Sequence, residues 1–214
     1  MITMIVTADK NWGIGKGGKK ILDVPDDLKY IRDVSRGKTL LMGRKTFETM
    51  FQGKVLPDRN TIVLSRSAGY CPKGAFVADS IEQAMKNALE SGQDIYIVGG
   101  ESVFSQLLDL CDEVQVTAAD YIYDADAFLE NLDKHPEWVL GALSEEQTYF
   151  DIVYFHKTYI KSQKSPGPFP EFGRILAHCN GMLIRYHEEA FVFIAQINPV
   201  LEGSEIIADC KIAG

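Results

Sequence analysis

The first 160 positions alternate between short apolar runs rich in β-branched residues and longer segments with apolar residues on one side. The apolar runs predict buried strands, because they lack the strict alternation of a half-exposed strand. These strands are residues 2–8, 39–42, 60–64, 94–98 and 113–119. The amphipathic segments between them predict helices at residues 25–34, 43–50, 80–90 and 101–110. Strands separated by helices predict an α/β fold with a mostly parallel central sheet and flanking helices.

The pattern changes near the end of this region. Two further β segments, 138–143 and 150–159, predict an antiparallel hairpin at the C-terminal edge of the sheet. A stretch rich in Pro, Gly and Ser follows and is typical of a linker. Beyond it the chain is again β-like, with a strong turn signal at Asn180-Gly181. The predicted organisation is a domain at 1–161, a linker at 162–172 and a small β-rich extension at 173–214.

Composition narrows the classes of function. Hydrophobic residues make up 46% and charged residues 24%, and the net charge of −8 disfavours nucleic acid as a partner. No apolar run is long enough to cross a membrane, and the start lacks the features of a signal peptide. The four scattered cysteines form no CxxC pair, so no metal site is predicted. We therefore expect a cytoplasmic protein with reduced thiols and no membrane partner.

Asp27 is the leading candidate for chemistry. Pro25 suits the first turn of a helix, which places Asp26 and Asp27 near the positive end of the helix dipole. Leu28 and Ile31 follow on one apolar face. If that face points inward, Asp27 lies at the rim of an apolar pocket, where a carboxyl can hold a proton near neutral pH and act as an acid or base. The alternative is an ordinary first-turn acid that faces water.

Two glycine-containing turns suggest an anion site. Gly99-Gly100 lies between a buried strand and a helix, and Gly43 precedes a helix that begins with Arg44 and Lys45. Ser65-Arg66 ends another strand, and the carboxyl ends of parallel strands share one edge. Together these residues suit a polyanion such as the 2′-phosphate of NADP. Solvated surface cations and a plain tight turn are the alternatives, and the usual GxGxxG fingerprint is absent.

Several short motifs follow one another along residues 1–160. They are Ile14-Gly15, the stretches 24–28, 42–46, 56–60, 62–66 and 97–100, and Thr117. In this order and spacing the chain resembles the bacterial dihydrofolate reductase family. The resemblance implies an NADPH-dependent oxidoreductase that transfers a hydride to C6 of 7,8-dihydrofolate.

The resemblance also implies roles for individual residues in substrate binding. Asp27 would bind the amino and N3 groups of the pterin and assist protonation of N5, and the Thr117 hydroxyl would support that carboxylate. Arg59 would hold the α-carboxylate of the glutamate tail as a bidentate pair. The apolar wall of the substrate pocket would consist of Ile5, Leu28, Ile31, Met50, Val98 and Phe104.

The implied cofactor positions surround the glycine turns. The adenosine phosphates of NADPH would bind at Gly43, Arg44, Lys45, Thr46, Ser65 and Arg66. The pyrophosphate would bind at Gly99, Gly100 and the helix start at Glu101, Ser102 and Val103. Further cofactor positions would be Thr7, Ile14, Gly15, Gly18, Lys19, Lys20 and Leu64. The family also leads us to expect a cis peptide bond between Gly99 and Gly100.

The segment before Asp27 departs from the family pattern. Ile21 and Leu22 stand where the family has a Pro-Trp pair, whose tryptophan packs on the ligand and holds an ordered water. Leu22 is therefore counted with Asp27 and Thr117 among the predicted catalytic positions, although leucine cannot donate a hydrogen bond. Lys20 replaces an apolar residue over the nicotinamide. Residues 12–20 are predicted to be a loop, in which Gly17-Gly18-Lys19-Lys20 is expected to be flexible and positive, with looser closure over the cofactor and slower turnover.

These departures leave other functions open. One is a reductase of another pterin or of a pyrimidine intermediate of riboflavin synthesis, although Asp27 and Arg59 together favour folate. Another is a catalytically weak ligand-binding or assembly protein. The apolar run 190–195 in the extension must be buried, either on the reductase-like domain or on a second copy. A homodimer through the extension is thus one predicted assembly.

Overall fold

The computed structural model describes residues 1–162 and the backbone of two strands at 183–187 and 190–194. Contacts between Cα atoms divide the chain into two compact units, Met1–Lys164 and Ser165–Gly214. Within the described residues, the central sheet and every helix belong to the first unit.

A nine-stranded sheet forms the centre of the first unit. Its order is β10 (Trp138–Leu143), β12 (Ile152–Lys161), β8 (Glu113–Ala119), β1 (Ile2–Ala8), β7 (Ile95–Ile97), β4 (Thr39–Gly43), β5 (Asn60–Leu64) and β6 (Phe76–Ala78). β11 (Gln147–Tyr149) pairs with β12 outside this path. Neighbours from β8 to β6 are parallel, whereas β12 is antiparallel to β8, β10 and β11. The predicted α/β fold with an antiparallel C-terminal edge is confirmed.

Four helices connect the parallel strands. They are α1 (Pro25–Val34), α2 (Arg44–Met50), α3 (Ile81–Glu90) and α4 (Glu101–Leu107), and a 3₁₀ turn at Leu108–Leu110 follows α4. α2 begins directly after β4, and α4 follows β7 across Gly99-Gly100. Both of these helix starts therefore face the carboxyl-end edge of the sheet, where ligands bind in folds of this kind.

Most of the core consists of two apolar layers, one on each face of the sheet. Along β4, Leu41 packs into one layer, whereas Leu40 and Met42 pack into the other. Along β1, Met4 and Ile5 are divided in the same way. Side chains alternate between the faces of a strand, so a sheet covered on both faces needs apolar residues at every position. This requirement explains the uninterrupted apolar runs in the sequence.

The segment at residues 12–20 differs from its predicted form as a loop. It contains β2 (Gly13–Lys16) and β3 (Lys19–Lys20), which form a small antiparallel sheet with β9 (Ala127–Phe128). A Cβ atom at Gly15 would lie 2.8 Å from the carbonyl oxygen of Lys19. The glycine thus permits close strand pairing here, in addition to the freedom that was inferred from composition.

Two short strands are described in the second unit. β13 (Leu183–His187) and β14 (Ala190–Ile194) pair antiparallel, with His187 opposite Ala190. The predicted turn at Asn180-Gly181 and most of the predicted linker lie outside the described residues. Among the residues that are described, no helix is long and apolar enough to span a membrane.

Candidate active site

A cavity of about 1350 Å³ lies at the carboxyl ends of β1, β4, β5 and β7. Ligand pockets for one drug-sized molecule usually measure about 300–1000 Å³, so this cavity has room for two ligands side by side. All of the predicted site residues line it except Leu22, Arg59 and Thr117. The cavity therefore brings together residues that are far apart in the sequence, such as Ile5 and Ala127, which are 122 positions apart.

Asp27 is the buried carboxyl group of this cavity. Its side chain is 5% exposed, and its two oxygens accept hydrogen bonds from two threonines. Thr7 Oγ1 donates to Oδ2 at 2.6 Å, and Thr117 Oγ1 donates to Oδ1 at 2.7 Å. Ile5 and Ile31, both buried, lie with Asp27 in the cavity lining. The carboxyl group is thus held in a fixed orientation beside an apolar wall.

A lysine and a tyrosine complete the electrostatic surroundings of this carboxyl group. Lys20 Nζ lies 3.5 Å from Asp27 Oδ2. Burial, with Asp26 and Asp27 nearby, raises the pKa of the Tyr154 hydroxyl. The phenol therefore stays neutral at ordinary pH, and Lys20 provides the positive charge that faces the carboxylate.

The glycine turn approaches the end of β4 closely. The peptide bond between Gly99 and Gly100 is cis, as expected, and the Gly43 N–H donates to the Gly99 carbonyl at 2.7 Å. Gly99 has φ +108°, and a Cβ atom there would lie 3.1 Å from the Phe104 ring. Only glycine fits this position without strain. The turn at Gly99-Gly100 therefore exposes bare backbone, and we call it the glycine cradle. Thr46 lies beside it, because its Oγ1 would be 3.5 Å from a Cβ atom at Gly100.

Basic residues line the cavity next to this cradle. Arg44 Nη1 donates to Ser67 Oγ at 2.9 Å, and the guanidinium lies 5.5 Å from the centre of the Tyr70 ring. Lys45 and Arg66 line the same cavity. A guanidinium that is held by both a hydroxyl and an aromatic face is preorganised to bind an anion.

Comparison with known proteins identifies the family. The family model for dihydrofolate reductase matches residues 1–159. The chain belongs to the dihydrofolate reductase family. A dihydrofolate reductase of Neisseria meningitidis serogroup A is 36% identical over 159 residues, which are 72% of this chain and 96% of that protein. A dihydrofolate reductase of Staphylococcus haemolyticus is 30% identical over 158 residues, covering 72% and 93%.

A solved structure agrees with these relatives. The dihydrofolate reductase from Enterococcus faecalis, complexed with NADP(H) and RAB-propyl, is 30% identical and superposes with a TM-score of 0.66. The match covers 75% of this chain and 96% of that chain. The predictions of family, fold and an NADPH-dependent oxidoreductase are thereby confirmed.

Arg59 does not line the cavity of this dihydrofolate reductase family member. Its Nε donates to Ser35 Oγ at 2.8 Å, and its two terminal nitrogens donate to the carbonyls of Pro57 and Arg32. Burial, with Arg36 nearby, lowers the pKa of Arg59, yet an arginine keeps its charge at neutral pH. The guanidinium is therefore anchored at the end of α1, beyond the cavity that holds Asp27.

Leu22 also lies away from the cavity lining. It packs with Val24, Ala119 and Tyr154 in a small buried cluster. Leu22 is 7% exposed, and an aliphatic side chain offers no group for proton transfer. The structure thus shows Leu22 in packing contacts, while Thr117, which is also outside the lining, touches Asp27 directly.

Several cavity residues were not predicted from the sequence. They include Asp23, Thr49, Gln52, Ser67, Asp79, Ser80, Ile81, Gln106 and Asp126. Ser80 is the N-cap of α3, which follows the carboxyl end of β6. The strand-edge rule would have found it if β6, a three-residue strand, had been recognised. Within the described residues, no three His, Cys, Asp or Glu side chains are grouped to hold a metal ion.

Proposed function

We propose that the chain uses this cavity to reduce 7,8-dihydrofolate to 5,6,7,8-tetrahydrofolate with NADPH. The observation that carries the proposal is the position of Asp27, which is buried and bonded by Thr7 and Thr117 in the same cavity as the glycine cradle. The half of the cavity around Asp27 suits a flat heterocycle with N–H donors. The half around the glycine cradle and Arg44, which we call the cofactor half, suits phosphates. Membership of the dihydrofolate reductase family supports the pairing of these two ligands.

The Asp27 carboxylate has the acceptor capacity to bind a pterin. An ionised carboxylate offers about four acceptor sites on its two oxygens, and the two threonine hydroxyls use one on each oxygen. Two sites remain for the 2-amino and N3–H donors of the ring. Leu28, Ile31 and Phe104 would then pack against the ring faces and the adjoining part of the substrate.

The same geometry supports a role for Asp27 in the protonation of N5. Five carboxyl groups line the cavity, but Asp23, Asp79, Glu101 and Asp126 are exposed and Asp27 is buried. The ionised Asp27 carries no proton itself, so in this proposal a water molecule supplies the proton for N5, and the fixed negative charge of the carboxylate favours protonation of the ring that it binds. Thr7 and Thr117 orient Asp27, which makes them positioning residues in this proposal.

The cofactor half of the cavity fits NADPH. A Cβ atom at Gly99 would lie 3.1 Å from the Phe104 ring, and Gly43 lies against Gly99, so this turn consists of bare backbone that a pyrophosphate would approach at the start of α4. Arg44, Lys45 and Arg66 would hold the adenosine phosphates, including the 2′-phosphate. When bound, NADPH supplies the hydride that C6 of the pterin accepts.

We assign Arg59 to bind the glutamate tail of the substrate. Its three hydrogen bonds to the protein fix the guanidinium beyond the pterin end of the cavity. An extended tail would leave the cavity along α1 and reach this charge. A bidentate pair with a carboxylate suits a guanidinium whose orientation is already fixed.

The deciding experiment measures NADPH oxidation with and without dihydrofolate, and with NADH in parallel. We expect oxidation that depends on dihydrofolate and is faster with NADPH. Replacing Asp27 with Asn should preserve the fold and lower the rate of hydride transfer at neutral pH by about 10²–10⁴-fold. NADPH binding without dihydrofolate-dependent oxidation would refute the proposal. Near-normal turnover of D27N would refute the role of Asp27.

Two further predictions concern the setting of the protein. We propose that it acts in the cytoplasm, where the exposed thiol of Cys71 would stay reduced. A homodimer through the extension stays a prediction, because the side chains of residues 183–194 lie outside the described part of the chain. Removing residues after 162 and measuring mass in solution and activity would test it. Loss of a dimer with activity retained would identify the extension as an assembly device.

A further inference from the structure

The side chain of Lys20 points at Asp27. Its Nζ lies 3.5 Å from Asp27 Oδ2 and 3.8 Å from Asp23 Oδ1. Lys20 is 28% exposed and Asp27 is 5% exposed, whereas Asp23 is 93% exposed. Within residues 1–162, Lys20 is the one cation that lies within ion-pair distance of the Asp27 carboxylate. Because its partner is buried, the contact with Asp27 is less screened by water than the contact with Asp23.

The backbone of Lys20 is fixed by strand pairing. Gly15 pairs with Lys20 in the antiparallel contact between β2 and β3, and the Ile21 N–H donates to the Ile14 carbonyl. In the same hairpin, the backbone of Lys16 pairs with Lys19, and the ammonium of Lys16 bonds to the exposed Asp124. Lys16 and Lys20 therefore belong to one small sheet but contact different carboxylates, and Lys20 is the one that faces Asp27.

The electrostatic effect of Lys20 on Asp27 depends on the other polar groups around this carboxylate. The neutral hydroxyls of Thr7 and Thr117 bind the carboxylate oxygens, and the Tyr154 phenol is neutral at ordinary pH. His156 Nδ1 lies 3.4 Å from Thr117 Oγ1. Lys20 therefore places a positive charge beside the negative charge that a bound ring would meet at Asp27.

We propose that Lys20 is the counter-ion of Asp27 and makes this site favour a neutral heterocycle over a cationic one. A 4-oxo pterin presents its 2-amino and N3–H donors to the carboxylate without carrying a charge. A 2,4-diamino ring takes up a proton beside a carboxylate and binds as a cation. Lys20 would repel that cation at short range, while it would leave the neutral ring nearly unaffected. The inference rests on the proposed function, because it assigns the pterin to Asp27.

A matched pair of ligands tests this inference. Folate and 4-amino-4-deoxyfolate share the glutamate tail and differ in one ring substituent, which decides whether the ring binds as a neutral species or as a cation. Their Kd values would be measured on the full-length protein saturated with NADPH, by quenching of its tryptophan fluorescence. The variants are Lys20→Met, Lys20→Gln and Lys20→Arg, with Lys16→Met as the control that removes a lysine charge from the same small sheet.

We expect K20M and K20Q to bind 4-amino-4-deoxyfolate more tightly relative to folate, by about tenfold or more, the scale of one opposite charge beside a carboxylate. K20R and K16M should keep the wild-type ratio of Kd values. An unchanged ratio in both K20M and K20Q would overturn the role of Lys20 while leaving the proposed function intact. An equal change in K16M would also overturn it, because the effect would then be one of overall charge. Failure of wild-type protein to bind folate would refute the proposed function together with this inference.

Discussion

The hydroxyl of Thr7 donates to Oδ2 of Asp27 at 2.6 Å, from a strand to the first turn of a helix. Thr7 and Thr117 are direct partners in the parallel pairing of β1 with β8, so the two hydroxyls stand side by side. Each binds a different oxygen of the same carboxylate. The register of two central strands thus sets the orientation of the buried acid. Sheet register is strongly specified when both faces are buried, which makes this orientation stable.

Replacing either threonine with valine should weaken catalysis through Asp27. The side chain keeps its volume, but the carboxylate loses a charged hydrogen bond worth about 1.5–3 kcal/mol. We expect kcat to fall by about tenfold in T7V and in T117V, and by less than the product in the double variant, because both act on one group. Steady-state kinetics with dihydrofolate would measure this coupling.

Thr61 offers a matched control for these substitutions. Its hydroxyl is buried in β5 and has no hydrogen-bond partner among the described residues. Thr61→Val should leave kcat unchanged and should maintain or raise the free energy of unfolding, because it removes an unpaired polar group. If T61V lowered kcat as much as T7V, the effect would belong to the sheet and not to Asp27.

The contact of Thr117 with Asp27 could be predicted from the sequence, whereas the contact of Thr7 with Asp27 could not, and the reason is physical. A motif resemblance implied the contact of Thr117 with Asp27, and the structure shows that contact at 2.7 Å. The same resemblance assigned Thr7 only to the cofactor. Its bond to Asp27 depends on the register of two strands whose paired residues are 110 positions apart. No local pattern encodes such a register, so the sequence alone did not reveal it.

The segment before Asp27 shows the other limit of sequence reasoning. The family pattern predicts a catalytic position at Leu22, but the Leu22 side chain packs with Val24 and Tyr154. Glycine and lysine content predicted a loop at 12–20, whereas tertiary pairing with Ala127–Phe128 makes part of it a sheet. Apolar runs and helix starts, in contrast, predicted the central sheet well, because burial on both faces requires them.

Ser35 should control how tightly the glutamate tail binds. It is the C-cap of α1, and its Oγ accepts a hydrogen bond from Arg59 Nε at 2.8 Å while it donates to the Ile31 carbonyl at 2.5 Å. Ser35→Ala frees the guanidinium to adopt other orientations. We expect the KM for dihydrofolate to rise by about fivefold with kcat nearly unchanged, the pattern of lost uniform binding.

Two comparisons separate this effect from a general weakening of helices. Ser91 caps the end of α3 and donates to the Ala88 carbonyl at 2.6 Å, so Ser91→Ala removes a similar bond at a helix end, together with a contact to Thr39, and leaves the three hydrogen-bond partners of Arg59 in place. It should leave KM unchanged. A pterin substrate without a glutamate tail should show the same KM with S35A and wild-type protein. A rise of KM for that substrate would contradict the assignment of Arg59 to the tail.

The preference for NADPH over NADH should depend on Arg44 and Lys45. Arg44 is held by Ser67 and the Tyr70 ring, and both basic residues line the cofactor half of the cavity. Replacing either with Gln should reduce the ratio of kcat/KM for NADPH to that for NADH by about tenfold, as expected for loss of one charged contact with a phosphate. Lys86→Gln, on the exposed face of α3, should not change the ratio. An unaltered preference in both R44Q and K45Q would place the 2′-phosphate elsewhere.

Cys111 should make the fold less stable at alkaline pH. Burial, with Asp112 nearby, raises the pKa of its thiol from 9.0 to about 12. The thiol therefore stays protonated in the folded chain but ionises in the unfolded chain above about pH 9, as a model thiol does. Its contribution is fully present below that pH and is lost as the pH rises toward 12. Within this window the free energy of unfolding should fall by about 1 kcal/mol per pH unit.

Urea unfolding between pH 8 and pH 11 would measure this slope. Cys111→Ala should flatten the slope, although it lowers stability at every pH by leaving a small cavity. Tyr159, whose pKa is raised by burial and by its hydrogen bond to Asp133, remains in that variant and should retain part of the slope, which Tyr159→Phe would remove. A thiol reagent adds an independent check, because exposed Cys71 should react quickly at pH 8 and buried Cys111 only after unfolding. Equal slopes in wild-type protein and C111A would contradict the assignment to Cys111.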